Sequence, residues 1–307
     1  MKHFLSITDM SKNEMQVLFK TAARIKKETR AGKSRSDLMG KTLVMIFEKP
    51  SLRTHLSFEI GMTQLGGHGV YLAPTDIGLG VRESVSDVAK VVSRMGDGLM
   101  ARVFAHRTIC ELAANSRVPV INGLSDWEHP CQILADLFTI WEIKRELKGL
   151  KLAFIGDGEN NVAHSLCLAA GLWGMHLVTA CPVGFWMKEE VVGLGASLCK
   201  KSGGSITQLS DPDAAVNKAD IVYTDTWVSM GDESEKAKRL NFFKPYQVTT
   251  KLMQQAKPNA LFMHDLPAYR GNEVTSEVID GVQSIVFQQA ENRLHIQKAL
   301  LVHLLKH

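Results

Sequence analysis

Several residues in this chain place charge where it would be costly without a ligand. The stretch "FEKPSLRTHLSFE" (47–59) reads as the end of a buried strand running into a helix, with Lys49 and Arg53 around that helix's first turn. A helix N-terminus carries unpaired N–H groups and about half a positive charge, so cations there are unfavourable unless an anion sits among them. Ser51 fits the cap, and the amides of Leu52, Arg53 and Thr54 follow it, an arrangement suited to an oxyanion such as phosphate. By itself the stretch equally fits a capped helix with a solvent-facing arginine. Arg102 closes an apolar strand, where a guanidinium can grip phosphate through two parallel bonds. His129 and Gln132 in "EHPCQ" fall one turn apart at a helix start, hence on one face, although a histidine before proline is commonly structural. "FIGDGENN" (154–161) follows a strand and holds half of a dinucleotide-binding fingerprint. The third glycine is missing, as is an acid ending the next strand, so a nucleotide-dependent oxidoreductase explains fewer features.

The elements that must position these residues alternate between helix and strand patterns, the mark of a parallel α/β architecture. Ser11 and Glu14 fit a capping box ahead of Met15, Leu18, Phe19, Ala22 and Ile25 at helical spacing. Strands are expected at 42–47, 69–72, 98–104 and 119–122, giving a first domain of about four strands. "HPCQILADLFTIWEIKREL" reads as one amphipathic helix, and a boundary is expected near "KGLK". The domains then run 1–147 and 148–288, with a terminal helix over 289–307. The second strand series begins at "LAFIGDG" and continues at 176–181, 205–209, 220–225, 260–266 and 284–287.

Composition narrows the function classes. A chain of 307 residues with 45% hydrophobic content can bury two cores, and a formal charge of +4 is too balanced for a nucleic-acid-coating surface. The five cysteines are odd in number, lack a C-x-x-C pair and lie in apolar segments, which points to reduced thiols and a cytoplasmic location. The N-terminus has no sustained apolar segment of the secretory kind. Residues 162–186 contain no Lys, Arg, Asp or Glu, yet Gly171, Gly174, His176 and Pro182 divide them into a buried helix and a buried strand rather than a membrane span.

Five motifs in order give the chain a resemblance to the transcarbamoylase family, and within it to the ornithine-type members. "SLRT" (51–54) resembles the family's Ser-Thr-Arg-Thr, and "HPCQ" (129–132) its His-Pro-x-Gln. "DTWVSMG" (225–231) is similar to the ornithine-type Ser-Met-Gly loop, "HDLPAYRG" (264–271) to a His-Cys-Leu-Pro segment, and "AENRLH" (290–295) closes the set. The resemblance implies two domains, each a parallel sheet flanked by helices, with the C-terminal helix returning to the first. It implies transfer of a carbamoyl group from carbamoyl phosphate to the δ-amine of ornithine, with no metal and no organic cofactor, by a homotrimer or an assembly of trimers. Ser51, Leu52, Arg53, Thr54, Arg102, His129, Gln132, Leu266 and Arg293 would bind carbamoyl phosphate, Leu52 through its backbone. Asn161, Asp225, Ser229 and Met230 would bind ornithine, and Arg102, His129 and Asp265 would face the chemistry.

Three departures stand out. Asp265 replaces the usual cysteine and could hold the ornithinium, accept its proton or turn away to pair with Arg270. "GDGENN" is one residue longer than the family pattern, so Asn161 is chosen over Asn160 by alignment on "NVAHS". Gly78 stands where some relatives carry glutamine in a loop that reaches a neighbouring subunit, and Arg82 can supply that loop's charge. A carbamoyltransferase for another amine, such as putrescine, and a non-catalytic relative are the competing readings within the family.

Overall fold

The computed structural model describes residues 2–228 and 236–306. The chain divides into two compact units, Met1–Phe138 with Glu291–His307, and Thr139–Ala290.

In the first unit, β1 (Thr42–Phe47), β2 (His68–Leu72), β3 (Gly98–Arg102) and β4 (Val120–Leu124) form an all-parallel sheet in the order β2-β1-β3-β4. Its helices are α1 (Lys12–Arg30), α2 (Leu52–Gln64), α3 (Pro74–Ile77), α4 (Val85–Met95), α5 (His106–Asn115) and α6 (Pro130–Lys144), the last running on into the second unit. β1 is an unbroken apolar run because a parallel strand is covered on both faces. The expected capping box starts α1, with the Ser11 amide 2.8 Å from Glu14 Oε2 and the Glu14 amide 3.3 Å from Ser11 Oγ. α6 differs from the expected amphipathic helix, since residues 131–140 are all buried. Its apolar residues go right round because it lies within the protein, where a polar face has no use.

In the second unit, β5 (Lys151–Ile155), β6 (His176–Ala180), β7 (Ser205–Leu209), β8 (Ile221–Thr224) and β9 (Leu261–Met263) form a parallel sheet ordered β7-β6-β5-β8-β9. Its helices are α7 (Asn161–Trp173), α8 (Glu189–Ser202), α9 (Pro212–Val216), α10 (Lys236–Phe243), α11 (Thr250–Met253) and α12 (Ser276–Ile279). The expected strand at 284–287 does not form. Ser284 makes a single bridge to Phe262, and α13 (Val286–Leu305) begins two residues later. The β-branched and aromatic run that suggested a strand serves that bridge and then the helix start. The uncharged run from 162 becomes α7 and β6, and among the described residues no helix is long and apolar enough to cross a membrane.

From Glu291 onward α13 belongs to the first unit, where buried polar bonds fasten it. Lys26 Nζ donates to Asn292 Oδ1 at 2.7 Å, and Lys298 Nζ donates to Thr29 Oγ1 and Gln64 Oε1 at 2.9 and 2.7 Å. α7 and α8 approach closely at glycines: a Cβ on Gly171 would stand 2.6 Å from Gly195 O and 2.9 Å from Leu198 Cβ.

Two predictions follow from this packing. Gly171→Ala must part α7 from α8 and should lower stability by about 1–3 kcal/mol, read as a lower denaturant midpoint; an unchanged midpoint would show that the contact is slack. His295 on α13 is buried and kept neutral, its pKa pushed by burial from 6.5 to about 4. An unfolded chain binds that proton between those values and the fold does not, so stability falls as pH drops through the window. Relative to His295→Gln, the parent should lose on the order of 2 kcal/mol more between about pH 7 and pH 4, measured by denaturation at each pH.

Candidate active site

The functional side chains sit at the carboxyl ends of parallel strands, at the two places where strand order reverses. In the first unit that place is between β1, which leads to α2, and β3, which ends in Arg102. Helices leave such neighbours on opposite faces, and the loops open a crevice at the strand ends. Phe47 pairs with Arg102 in register, the Glu48 amide donates to Arg102 O at 2.9 Å, and the pairing of β3 with β4 shifts at Ala101/Arg102. Ser51 caps α2 as expected, its Oγ accepting from the Thr54 amide at 3.4 Å, and no acidic residue lies in the first turn. Leu52 is 67% exposed, so its side chain turns away from the crevice residues and its backbone amide is the group it can offer there. Lys49 Nζ lies 4.8 Å from the centre of the Phe104 ring.

Arg293 closes this half of the site. It is buried, with Nη1 donating to Gln132 Oε1 at 2.6 Å and Nη2 donating to Thr54 Oγ1 at 3.0 Å. Gln132 is oriented in turn by its amide nitrogen, which donates to Asp136 Oδ1 at 2.9 Å. The Gln132 and Ile133 amides donate to His129 O at 3.1 and 3.2 Å, so His129 is the residue on which α6 begins. Arg102 and His129 are both buried, and Arg53 is half-buried in the first turn of α2. Cys131 is no nucleophile: burial pushes its thiol up to about 12 against the pull of Arg293, and its Sγ faces Asn122 O at 3.3 Å.

The second unit repeats the topology between β5 and β8, its own point of reversal. Gly156 has φ +138°, and a Cβ on Gly158 would meet Phe185 O at 2.7 Å, so these two positions require glycine. Asn160 caps α7 and donates to Asp225 Oδ2 at 2.9 Å; Asn161, the residue aligned with the family's ornithine-binding asparagine, is the first helical residue and half-buried. The Thr226 amide donates to Asp225 Oδ1 at 2.6 Å. Ser229 and Met230 lie outside the described residues.

Asp265 does not pair with Arg270, which makes two bonds to Asp280 at 2.5 and 2.8 Å. A carboxylate oxygen of Asp265 lies within 4.8 Å of one of Asp225, whose pKa is raised well above the ordinary value by burial first and by Asp265 second. His264 Nδ1 lies 3.4 Å from Asp265 Oδ1 and 2.9 Å from the Leu266 amide, while Nε2 lies 3.2 Å from Glu273 Oε1. Burial lowers this histidine's pKa, but bonds to Asp265 and Glu273 outweigh it and raise the value to about 9. The Leu266 amide can donate to Nδ1 only while that nitrogen carries no proton. Charging the ring breaks that bond in exchange for one to Asp265. Leu266 itself has φ +60° and precedes a cis proline. Asp225, His264 and Asp265 offer atoms within 4.8 Å of one another, and those of Asp225 and of His264 Nδ1 already accept bonds within the protein.

Sequence reasoning missed a buried brace beside this site. Arg239 of α10 donates through Nε to Trp227 O at 2.7 Å, pairs with Asp157 and lies over the rings of Phe185 and Phe243 at 5.0 and 5.4 Å. Burial lifts the Asp157 carboxyl to about 6 despite that pairing. In "KAKRL" Arg239 reads as one more surface cation, and nothing local marks it as buried.

Arg293→Lys should weaken binding of inorganic phosphate at least tenfold with the fold retained, because one ammonium cannot span both Gln132 and Thr54 while still facing an anion. Calorimetric titration checks this, and equal affinity in the variant would remove Arg293 from the site.

Comparison with known proteins extends these observations to the whole chain. Residues 2–142 match the aspartate/ornithine carbamoyltransferase carbamoyl-P binding domain, and residues 148–304 match the Asp/Orn binding domain of the same family. The ornithine carbamoyltransferase of Anoxybacillus flavithermus is 52% identical over 304 residues, covering 99% of this chain and 96% of that protein. The ornithine carbamoyltransferase of Methanoculleus marisnigri is 49% identical over 304 residues, covering 99% and 97%. The structure of the Pyrococcus furiosus ornithine carbamoyltransferase superposes with a TM-score of 0.96 at 48% identity, covering 99% of this chain and 97% of that one. With a capped anion crevice in one unit, a carboxylate site in the other and matches spanning both, the chain belongs to the aspartate/ornithine carbamoyltransferase family.

Proposed function

We propose that this protein is an ornithine carbamoyltransferase, converting carbamoyl phosphate and L-ornithine to L-citrulline and phosphate. One observation carries the reading furthest: Thr54, Gln132 and Arg293, from three motifs far apart in sequence, are bonded together in a buried cluster beside a capped helix N-terminus. Relatives of about half-identical sequence bear the same activity in their names.

In this reading Arg53, Arg102, Arg293 and the α2 amides take the phosphate, and His129 with Gln132 holds the carbamoyl group. Their donors stabilise charge that grows on the carbonyl oxygen and the leaving phosphate. Asp225 and Asn161 hold the amino-acid end of ornithine, since an α-ammonium seeks a carboxylate and an α-carboxylate seeks amide donors. The Ser229–Met230 loop completes that grip, and Leu266 contributes its backbone to carbamoyl phosphate. The δ-amine attacks the carbonyl carbon and the C–O bond to phosphate breaks. With a lysine-like pKa of about 10.4, roughly one amine in a few thousand is neutral at pH 7, so the site must shed that proton, and departing phosphate is a suitable acceptor. No metal or cofactor is required by these steps.

The 1–147 segment is thus the carbamoyl-phosphate domain, 148–288 the ornithine domain and 289–307 the returning helix. We place the protein in the cytoplasm, consistent with five cysteines that are all unpaired. A homotrimer is favoured by the exposed apolar row Leu52, Leu56 and Ile60 along α2, which a second copy would cover.

Two substitutions test the division of labour. Arg102→Lys should lower kcat/KM by about a hundredfold with ornithine KM little changed, and Asp225→Asn should raise ornithine KM about a hundredfold while carbamoyl phosphate binding persists. Citrulline formation measured against both substrates separates them. A parent protein that carbamoylates none of ornithine, putrescine, lysine or aspartate would end the proposal.

A further inference from the structure

We propose that Asp265 makes amine binding proton-linked: in the free protein Asp225 and Asp265 hold one proton between them, and an arriving α-ammonium expels it. The inference rests on the ornithine reading of the site.

The geometry leads there directly. Both oxygens of Asp225 are engaged, Oδ2 by Asn160 at 2.9 Å and Oδ1 by the Thr226 amide at 2.6 Å, and a carboxylate oxygen of Asp265 lies within 4.8 Å of this carboxylate. Two carboxylates this close and poorly solvated hold a proton between them rather than both ionise, and here Asp225 has 8% exposure and the Asp265 side chain 14%. The surrounding charges do not replace that proton. The segment after β8 supplies Asp225, and the segment after β9 supplies His264 and Asp265. The turn before α12 supplies Glu273, and the α7 cap supplies neutral Asn160. Glu273 meets His264 through Nε2 and so matches whatever charge the ring gains, while Nδ1 accepts the Leu266 amide at 2.9 Å. Burial and the neighbouring carboxylate both act to keep the proton on the pair.

On binding, the shared O–H bond breaks and the proton passes to solvent, while N–H···O bonds form from the α-ammonium to the carboxylate now freed. Nothing is oxidised and no further reactant is needed. Asp265 is therefore a specificity-determining residue: it lets the pair rest with a single negative charge when empty and present two to a cationic ligand. A neutral side chain at 265 removes the second charge and leaves burial alone against the two donors on Asp225, so binding loses most of its coupling to the proton.

The test is calorimetric titration of L-norvaline into the full-length protein saturated with carbamoyl phosphate, in buffers of differing ionisation enthalpy near pH 7. Norvaline keeps the α-ammonium and α-carboxylate but lacks the δ-amine, so neither turnover nor deprotonation of the nucleophile contributes. The parent should release about 0.5–1 proton per site, and Asp265→Asn and Asp265→Cys fewer than about 0.2. Weaker binding in the variants with unchanged proton release would mean a merely structural role and overturn the proposal, as would no release by the parent between about pH 6 and pH 8. Infrared difference spectra give a readout independent of ligand affinity: the carbonyl stretch of a protonated carboxyl should be present in the free parent and lost in Asp265→Asn. Its absence from the parent also overturns the proposal. If neither norvaline binding nor citrulline formation is seen, the ornithine reading itself fails.

Discussion

The contact of Arg293 with Thr54 and Gln132 governs the first half of this site. A guanidinium taken out of water must find oxygen partners, and Arg293 finds two from different helices, fixing the start of α2 against the start of α6. Beside the buried apolar residues of α13, polar and buried groups help bring Arg293 there. Lys26 meets Asn292 and Lys298 meets Thr29 and Gln64, so α13 is held in register by groups that tolerate little displacement. A helix fastened by apolar contacts alone could slide by a fraction of a turn. One fastened by matched donors and acceptors cannot do so without stranding them.

The second unit solves a different electrostatic problem with the same topology. Each sheet reverses its strand order once near the middle, and residues at the carboxyl ends of the two strands flanking that point become neighbours. In the first unit the reversal gathers cations and helix amides, making a place for an anion. In the second it gathers Asp225, Asp265 and the Asn160 amide, making a place for an ammonium.

Much of this was legible in the sequence because the signals are local. The Ser11–Glu14 capping box, the β1 run "TLVMIF", the Ser51 cap and the glycines of "GDG" each report a conformational requirement within a few residues. The motifs around Thr54, Gln132 and Arg293 named a common ligand before any distance was known, since residue type at a helix start or strand end already limits the chemistry. Even the misreading at 284–287 is local in origin. A bridge to Phe262 and a helix start draw on the same apolar residues as a strand.

Tertiary structure alone decided which partner each charge meets. Residue types fixed that a carboxylate would stand at 265, but only folding brought it to Asp225 and His264 rather than to Arg270, which Asp280 occupies. The fold likewise gave Asp225 to Asn160 instead of Asn161, because the cap position points its side chain back toward the neighbouring strand end while the next residue starts the helix. It also buried Arg239 among Asp157, Trp227 and two aromatic rings. The physical reason is common to all three. Sequence determines the donors, acceptors and local conformations, whereas pairing energies depend on distance and desolvation, which are properties of residues far apart in the chain and close in space.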